Sequence, residues 1–148
     1  MEREIEFRGH IKGTKQWVHG SYFKHEKINL LIEKEKEINY VHLIITDGMS
    51  DWNLPTPIKA IEVNGESVGQ YTGVHDEIGK RIYERDIVKF RDAFSKNDFI
   101  GVVKYYAGIK PIIENSSKHS VDLAECNEED LEVMGNLDDN PNFLAILQ

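Results

Sequence analysis

The amino-acid sequence predicts an all-β protein made of two β subdomains, residues 1–66 and residues 67–148. Three observations carry this expectation. Short runs in which polar and apolar residues alternate recur along the chain, and Gly, Asn, Asp and Pro clusters punctuate them. The third is the block at residues 68–90, which interleaves turn chemistry with short β-like runs and reads as a structural signature.

Element by element, residues 4–8 (Glu-Ile-Glu-Phe-Arg) alternate with period two, and residues 17–23 supply Trp17, Val18, Tyr22 and Phe23, which suit a pleated surface. Lys12, Gly13, Thr14 and Lys15 between them predict a hairpin connection and an antiparallel pair. Residues 27–32 and 40–46 predict two further strands, joined through Glu-Lys-Glu-Lys-Glu at 33–37, which reads as a solvated connection with a short helix as the alternative. Pro55 and Pro57 place the longest loop at residues 47–57. Residues 58–63 alternate again, and Asn64 and Gly65 predict a tight turn with positive φ, after which a new section begins.

In that section residues 86–90, 99–106 and 111–114 predict strands whose spacing suits a small barrel. Asn127 with Glu128, Glu129 and Asp130 predicts a brief N-capped helical turn, because Asn accepts from free amides and acids favour a helix N-terminus. A strand at 131–134, a turn at Gly135 and Asn136, and a one-turn helix from Asn140 and Pro141 with Phe143, Leu144, Ile146 and Leu147 as anchors complete the chain.

Composition limits the chemistry. The net charge of −8 lies entirely in residues 119–148, which hold eight Asp or Glu and no Lys or Arg, while residues 1–118 balance 18 against 18. A neutral body with an acidic end repels phosphate, so direct nonspecific nucleic-acid binding is not expected. The lone Cys126 excludes an intrachain disulfide, and its acidic neighbours raise its pKa. There is no signal-peptide pattern and no apolar run near the roughly 18 residues of a membrane span, so a cytoplasmic location without membrane contact is expected.

Residues 68–90, Val-Gly-Gln-Tyr-Thr-Gly-Val-His-Asp-Glu-Ile-Gly-Lys-Arg-Ile-Tyr-Glu-Arg-Asp-Ile-Val-Lys-Phe, closely resemble the signature of the YopX family of phage and prophage proteins. The likeness extends to Ile-Glu-Phe-Arg-Gly at 5–9, Trp-Val-His-Gly-Ser-Tyr at 17–22, Glu-Val-Met-Gly-Asn at 132–136 and Asn140-Pro141. It implies a two-part β protein whose C-terminal subdomain is an SH3-like small barrel, with self-association, and it implies no catalytic residue, substrate or cofactor. Arg85 departs from the pattern, standing where the family usually has glycine. Positive φ there would cost an arginine about 1 kcal/mol or more, so ordinary backbone angles or a bulge are expected.

The residues themselves agree with a structural signature. Gly69, Gly73 and Gly79 offer turns, Asp76 can bond nearby amides, and Ile82, Ile87 and Val88 suit a core. No phosphate loop is formed, since no Gly-Lys-Ser/Thr leads into a helix. His10, His19, His25, His42, His75 and His119 show no metal-ligand spacing, although His19 and His25 could converge with Asp47 or Asp51 in the fold. Separated carboxylates such as Asp47, Asp51, Asp76 and Asp86 leave an acid–base or metal-dependent enzyme as one alternative. A nucleic-acid-associated module acting through a partner is another. The favoured expectation is a non-catalytic phage or prophage accessory protein that binds or assembles, without a cofactor, through Tyr71, Tyr83, Tyr105 and Tyr106, with another copy of itself or with a host or phage protein. Strand alternation allows only one of Tyr105 and Tyr106 to face inward.

Overall fold

The computed structural model describes residues 3–27, 39–47 and 57–146. The expected solvated connection at 33–37 and nearly all of the expected strand at 27–32 and loop at 47–57 lie outside these residues, as do the side chains of Leu144, Ile146 and Leu147. What is described is all-β with antiparallel pairing, in two compact units.

The N-terminal unit spans Ile5–Val68. It holds β1 (Phe7–His10), β2 (Trp17–Lys27), β3 (Asn39–Asp47) and β4 (Ile58–Val63), each antiparallel to the next. The expected hairpin closes β1 on β2, with His10 opposite Trp17 and Gly13 at φ 77° in the turn. Ile11 bridges Val63, the Lys12 amide donates to the Glu62 carbonyl (3.0 Å), and the Asn64 amide donates to the His10 carbonyl (2.9 Å). These bonds bend the sheet so that the end of β4 returns to the end of β1. Val18, Ile44 and Val63 fill the inside of that bend, packed by Phe7, Ile11, Tyr22 and Ile61. Burying each such side chain stabilises the fold by about 1.5–3 kcal/mol.

Asn64 and Gly65 do not make the predicted positive-φ turn. Asn64 is extended (φ −69°) and its side chain accepts from the Glu66 amide at 3.3 Å, so it caps a 3-10 turn at Gly65–Ser67. Asn serves either role, and the bond from the Asn64 amide to His10 fixes the extended one.

The C-terminal unit comprises Gly69–Gln148 together with the first residues of the chain. Its strands are β5 (Gly69–His75), β6 (Arg81–Tyr83), β7 (Asp86–Arg91), β8 (Asp98–Tyr106), β9 (Lys110–Glu114), β10 (Ser120–Asp122) and β11 (Leu131–Asn136). β5 and β6 form a hairpin, while the five-stranded sheet runs β10-β9-β8-β7-β11. Ile82, Val88, Val103, Ile113, Leu123 and Leu131 are fully buried in one cluster. The expected barrel is not closed. β10 and β11 remain the two edges of the sheet, and β10 has only three residues with which to pair.

Three local expectations change here. Gly135 and Asn136 belong to β11, whose register slips between Val133 and Gly135, and the turn follows Asn136, whose Oδ1 accepts from Asp138 and Asp139 amides at 3.0 and 2.8 Å. The helical turn α1 (Phe143–Ile146) comes after it. Asn127 precedes a 3-10 turn at Glu128–Asp130 but makes no capping bond with its side chain.

The third change is Arg85, which adopts φ +74° and not the ordinary angles expected. Its amide donates to the Val103 carbonyl (2.8 Å), and its carbonyl accepts from Leu137 (3.0 Å). Its guanidinium grips Asp138 in two bonds of 3.0 and 2.9 Å. A two-bonded, partly buried arginine–carboxylate pair offsets a left-handed backbone cost of about 1–2 kcal/mol.

Candidate functional site

The polar side chains of the signature are engaged in holding the fold. Asp76 is buried, and its carboxylate accepts from the amides of Ile78 (3.1 Å), Lys80 (2.8 Å) and Val133 (3.2 Å), closing the β5–β6 turn and tying it to β11. Asp86 is buried and accepts from the Tyr83 amide at 2.8 Å. Asp47 ends β3 on the surface, and Asp51 lies outside the described residues.

The four tyrosines separate. Tyr71 and Tyr83 pair across β5 and β6 with ring centroids 5.6 Å apart, and both are buried, at 3% and 4% exposure. Tyr105 is half-buried, and its hydroxyl donates to the Tyr71 carbonyl at 3.4 Å; burial raises its pKa. Tyr106 is 62% exposed, as strand alternation requires of one member of that pair. The structure therefore leaves Tyr106 exposed and places Tyr71 and Tyr83 in the interior.

The histidines do not gather. His25 pairs with Val41 at one end of β3 and Asp47 closes the other, a separation of roughly 20 Å at ~3.3 Å per residue. No group of three metal-binding side chains occurs among the described residues. Cys126 is half-buried, and burial first, then Asp122, Asp130 and Glu125, raises its pKa to about 11. The acidic C-terminal segment is not a free tail. Asp122 pairs with Lys110 (2.7 Å), Glu132 with Lys89 (2.7 Å) and Arg91 (3.2 Å), and Asp138 with Arg85.

Exposed apolar side chains occur in both units: Ile78, Phe94, Tyr106 and Ile109 in the C-terminal one, and Phe23 and Ile58 on the N-terminal sheet. Pairing register puts Phe23, Val41, Leu43, Ile45, Ala60 and Ile58 on one face of β2, β3 and β4, bordered on that face by His25, Lys27, Asp47 and Glu62. Phe23 is 49% and Ile58 74% exposed there. The opposite face carries the core residues Ile44 and Val63 and then becomes polar at Tyr22, Lys24, Tyr40 and His42.

That polar end forms a concavity of about 670 Å³, walled by Lys12, Tyr40, His42, Glu62, Gly65 and Glu66 among others. Tyr22 and His42 bond through hydroxyl and Nδ1 at 2.6 Å, with near-parallel rings. Burial raises the Tyr22 pKa. Gly65 lies against the imidazole so closely that a Cβ there would be 2.4 Å from Cδ2 and Nε2. Lys12 bonds Glu62 at 2.8 Å and lowers its pKa, and the Lys24 ammonium sits 4.0 Å from the Tyr40 ring centre. His42 pairs with Val63, two residues before Gly65, and the Ile11–Val63 bridge brings in Lys12, so no sequence spacing announces this group.

Fold and site together define a two-unit, all-β protein whose signature carboxylates hold turns and strand ends. The chain matches the YopX protein family over residues 6–145 and belongs to that family. Among solved structures it is similar to the crystal structure of protein EF1440 from Enterococcus faecalis, at 18% identity and a TM-score of 0.55, covering 97% of this chain and 99% of that one. The likeness extends to the fold alone. No curated protein matches the sequence. No helix among the described residues is long and apolar enough to cross a membrane.

Proposed function

We propose that this protein is a phage- or prophage-encoded accessory module of the cytoplasm that binds and assembles without catalysis. The observation that carries this reading is the face of β2, β3 and β4 on which Phe23 and Ile58 are exposed and Leu43 and Ile45 are half-buried, with β4 as an edge strand. Exposed apolar patches and unpaired strand edges mark association surfaces. The engagement of Asp76 and Asp86 by backbone amides supports a non-catalytic role, and the YopX resemblance supports the phage or prophage setting. The strand order β11-β7-β8-β9-β10, with 3-10 turns before the last strand, supports an SH3-like character for the C-terminal unit as an open variant of that barrel.

The first occupant proposed for the face is a second copy, since an edge strand with an adjoining apolar face is self-complementary about a two-fold axis. Light scattering over a concentration series tests it. A dimer that Phe23→Ser with Ile58→Ser dissolves is the expected result. A constant 17.1 kDa mass at high micromolar concentration overturns self-association and leaves the face to a different protein, sought by purification from the native host with and without the same substitutions.

A further inference from the structure

We infer that the concavity of the N-terminal unit is a recognition site for a cationic group, an ammonium or guanidinium. This inference goes beyond the assembly reading and is argued from other residues, since Tyr40 and His42 lie on the face of β3 opposite Leu43 and Ile45. The walls already hold cations of the protein itself: Lys12 on Glu62 at 2.8 Å and Lys24 over the Tyr40 ring at 4.0 Å. Glu66 is exposed in the same wall and has no cationic partner among the described residues. It supplies the counter-charge for an incoming group, and Tyr40, with 46% of its surface open, supplies aromatic surface.

The site is built and not merely acidic. His42 is fixed by the Tyr22 hydroxyl on Nδ1 and by the Gly65 backbone against its ring, so the floor is ordered before a ligand arrives. Gly65 owes its position to the Asn64-capped turn, which also bears Glu66. A side chain at residue 65 would collide with the imidazole. Glycine at that position, acid at the next and aromatic residues on β3 thus serve one pocket.

The test follows His42 and Tyr40 ring resonances of the full chain by NMR during titration with N-acetyl-arginine amide, its uncharged norleucine analogue, n-butylguanidinium and an alanine peptide with a central arginine. Saturable shifts with the cationic probes, at about millimolar dissociation constants, and none with norleucine are expected. Glu66→Gln should weaken binding by about three- to fivefold, the worth of an exposed ion pair, and Tyr40→Leu by about two- to fivefold. Gly65→Ala should abolish the shifts, with circular dichroism confirming the fold; if that variant does not fold, Glu66→Gln decides. Tighter binding of the peptide assigns the site to a side chain of a polypeptide, and equal binding of n-butylguanidinium assigns it to a free amine or guanidine. Equal binding of norleucine, absence of shifts up to about 50 mM, or an unchanged constant for Glu66→Gln overturns the inference.

Discussion

The two units spend their polar side chains differently. In the C-terminal unit Asp76, Asp86 and Asn136 accept from the main chain, and Arg85 grips Asp138, so polar chemistry is consumed in fixing turns and strand ends. In the N-terminal unit Tyr40, His42, Lys24 and Glu66 line or border open space, and Phe23 and Ile58 meet solvent. A dense motif can therefore record how a chain turns.

The comparison breaks most severely at Asp76. Asp76→Ala removes the acceptor of three amides and should cost about 3 kcal/mol or more, read as a fall in the urea midpoint of the C-terminal unit. An Ala variant as stable as the parent would mean that the carboxylate is free for another task. Arg85 gives a smaller, sharper test. Arg85→Ala loses the ion pair and keeps the left-handed strain, whereas Arg85→Gly loses the pair and sheds the strain, so the glycine variant should be more stable than the alanine one by about 1 kcal/mol. Asp138→Asn should matter more with Arg85 present than in the glycine variant, a difference that a double-mutant cycle measures.

Acid should separate the units next. Glu114 is held below its ordinary pKa by Lys104, Asp122 by Lys110 and Glu132 by Lys89, all in the C-terminal unit, against Glu62 with Lys12 in the other. Because these folded-state values are depressed, the stabilisation is complete above the ordinary carboxyl range of about 4 to 4.5 and is lost as pH falls through the lower folded values. Amide exchange should show the steeper loss of protection in the C-terminal unit, and 1 M salt should flatten it. The smallest expected effect is Phe23→Ser, within about 0.5 kcal/mol of the parent in stability, because the ring already meets water.

Most strands were legible because their side chains alternate. Residues 58–63, 86–90, 99–106 and 111–114 became strands at or within one residue of the expected bounds. The role of Asp76 was legible too, since an Asp followed by Gly79 in a turn is a local signal. What remained hidden depended on distant partners. Arg85 takes positive φ because Val103, Leu137 and Asp138 hold it there. Asn64 became a cap because His10 fixed its backbone. Tyr71 and Tyr83 are interior through cross-strand pairing that one sequence cannot register, and the walls around His42 come from three segments joined by the β3–β4 register and the Ile11–Val63 bridge.

The pairing of β7 with β11 has a consequence for synthesis. The partner of Asp86–Arg91 on one side is Leu131–Asn136, so the strand waits while the intervening residues are made, about two to eight seconds at ~5–20 residues per second. During that interval the side of β7 that will receive β11 offers unpaired amides and carbonyls beside Ile87 and Val88. Ile5–Val68, complete much earlier, can fold on its own schedule. A ribosome stalled between these two strands would display an adhesive half-sheet, so chaperone contact during translation should concentrate on the stretch before Leu131.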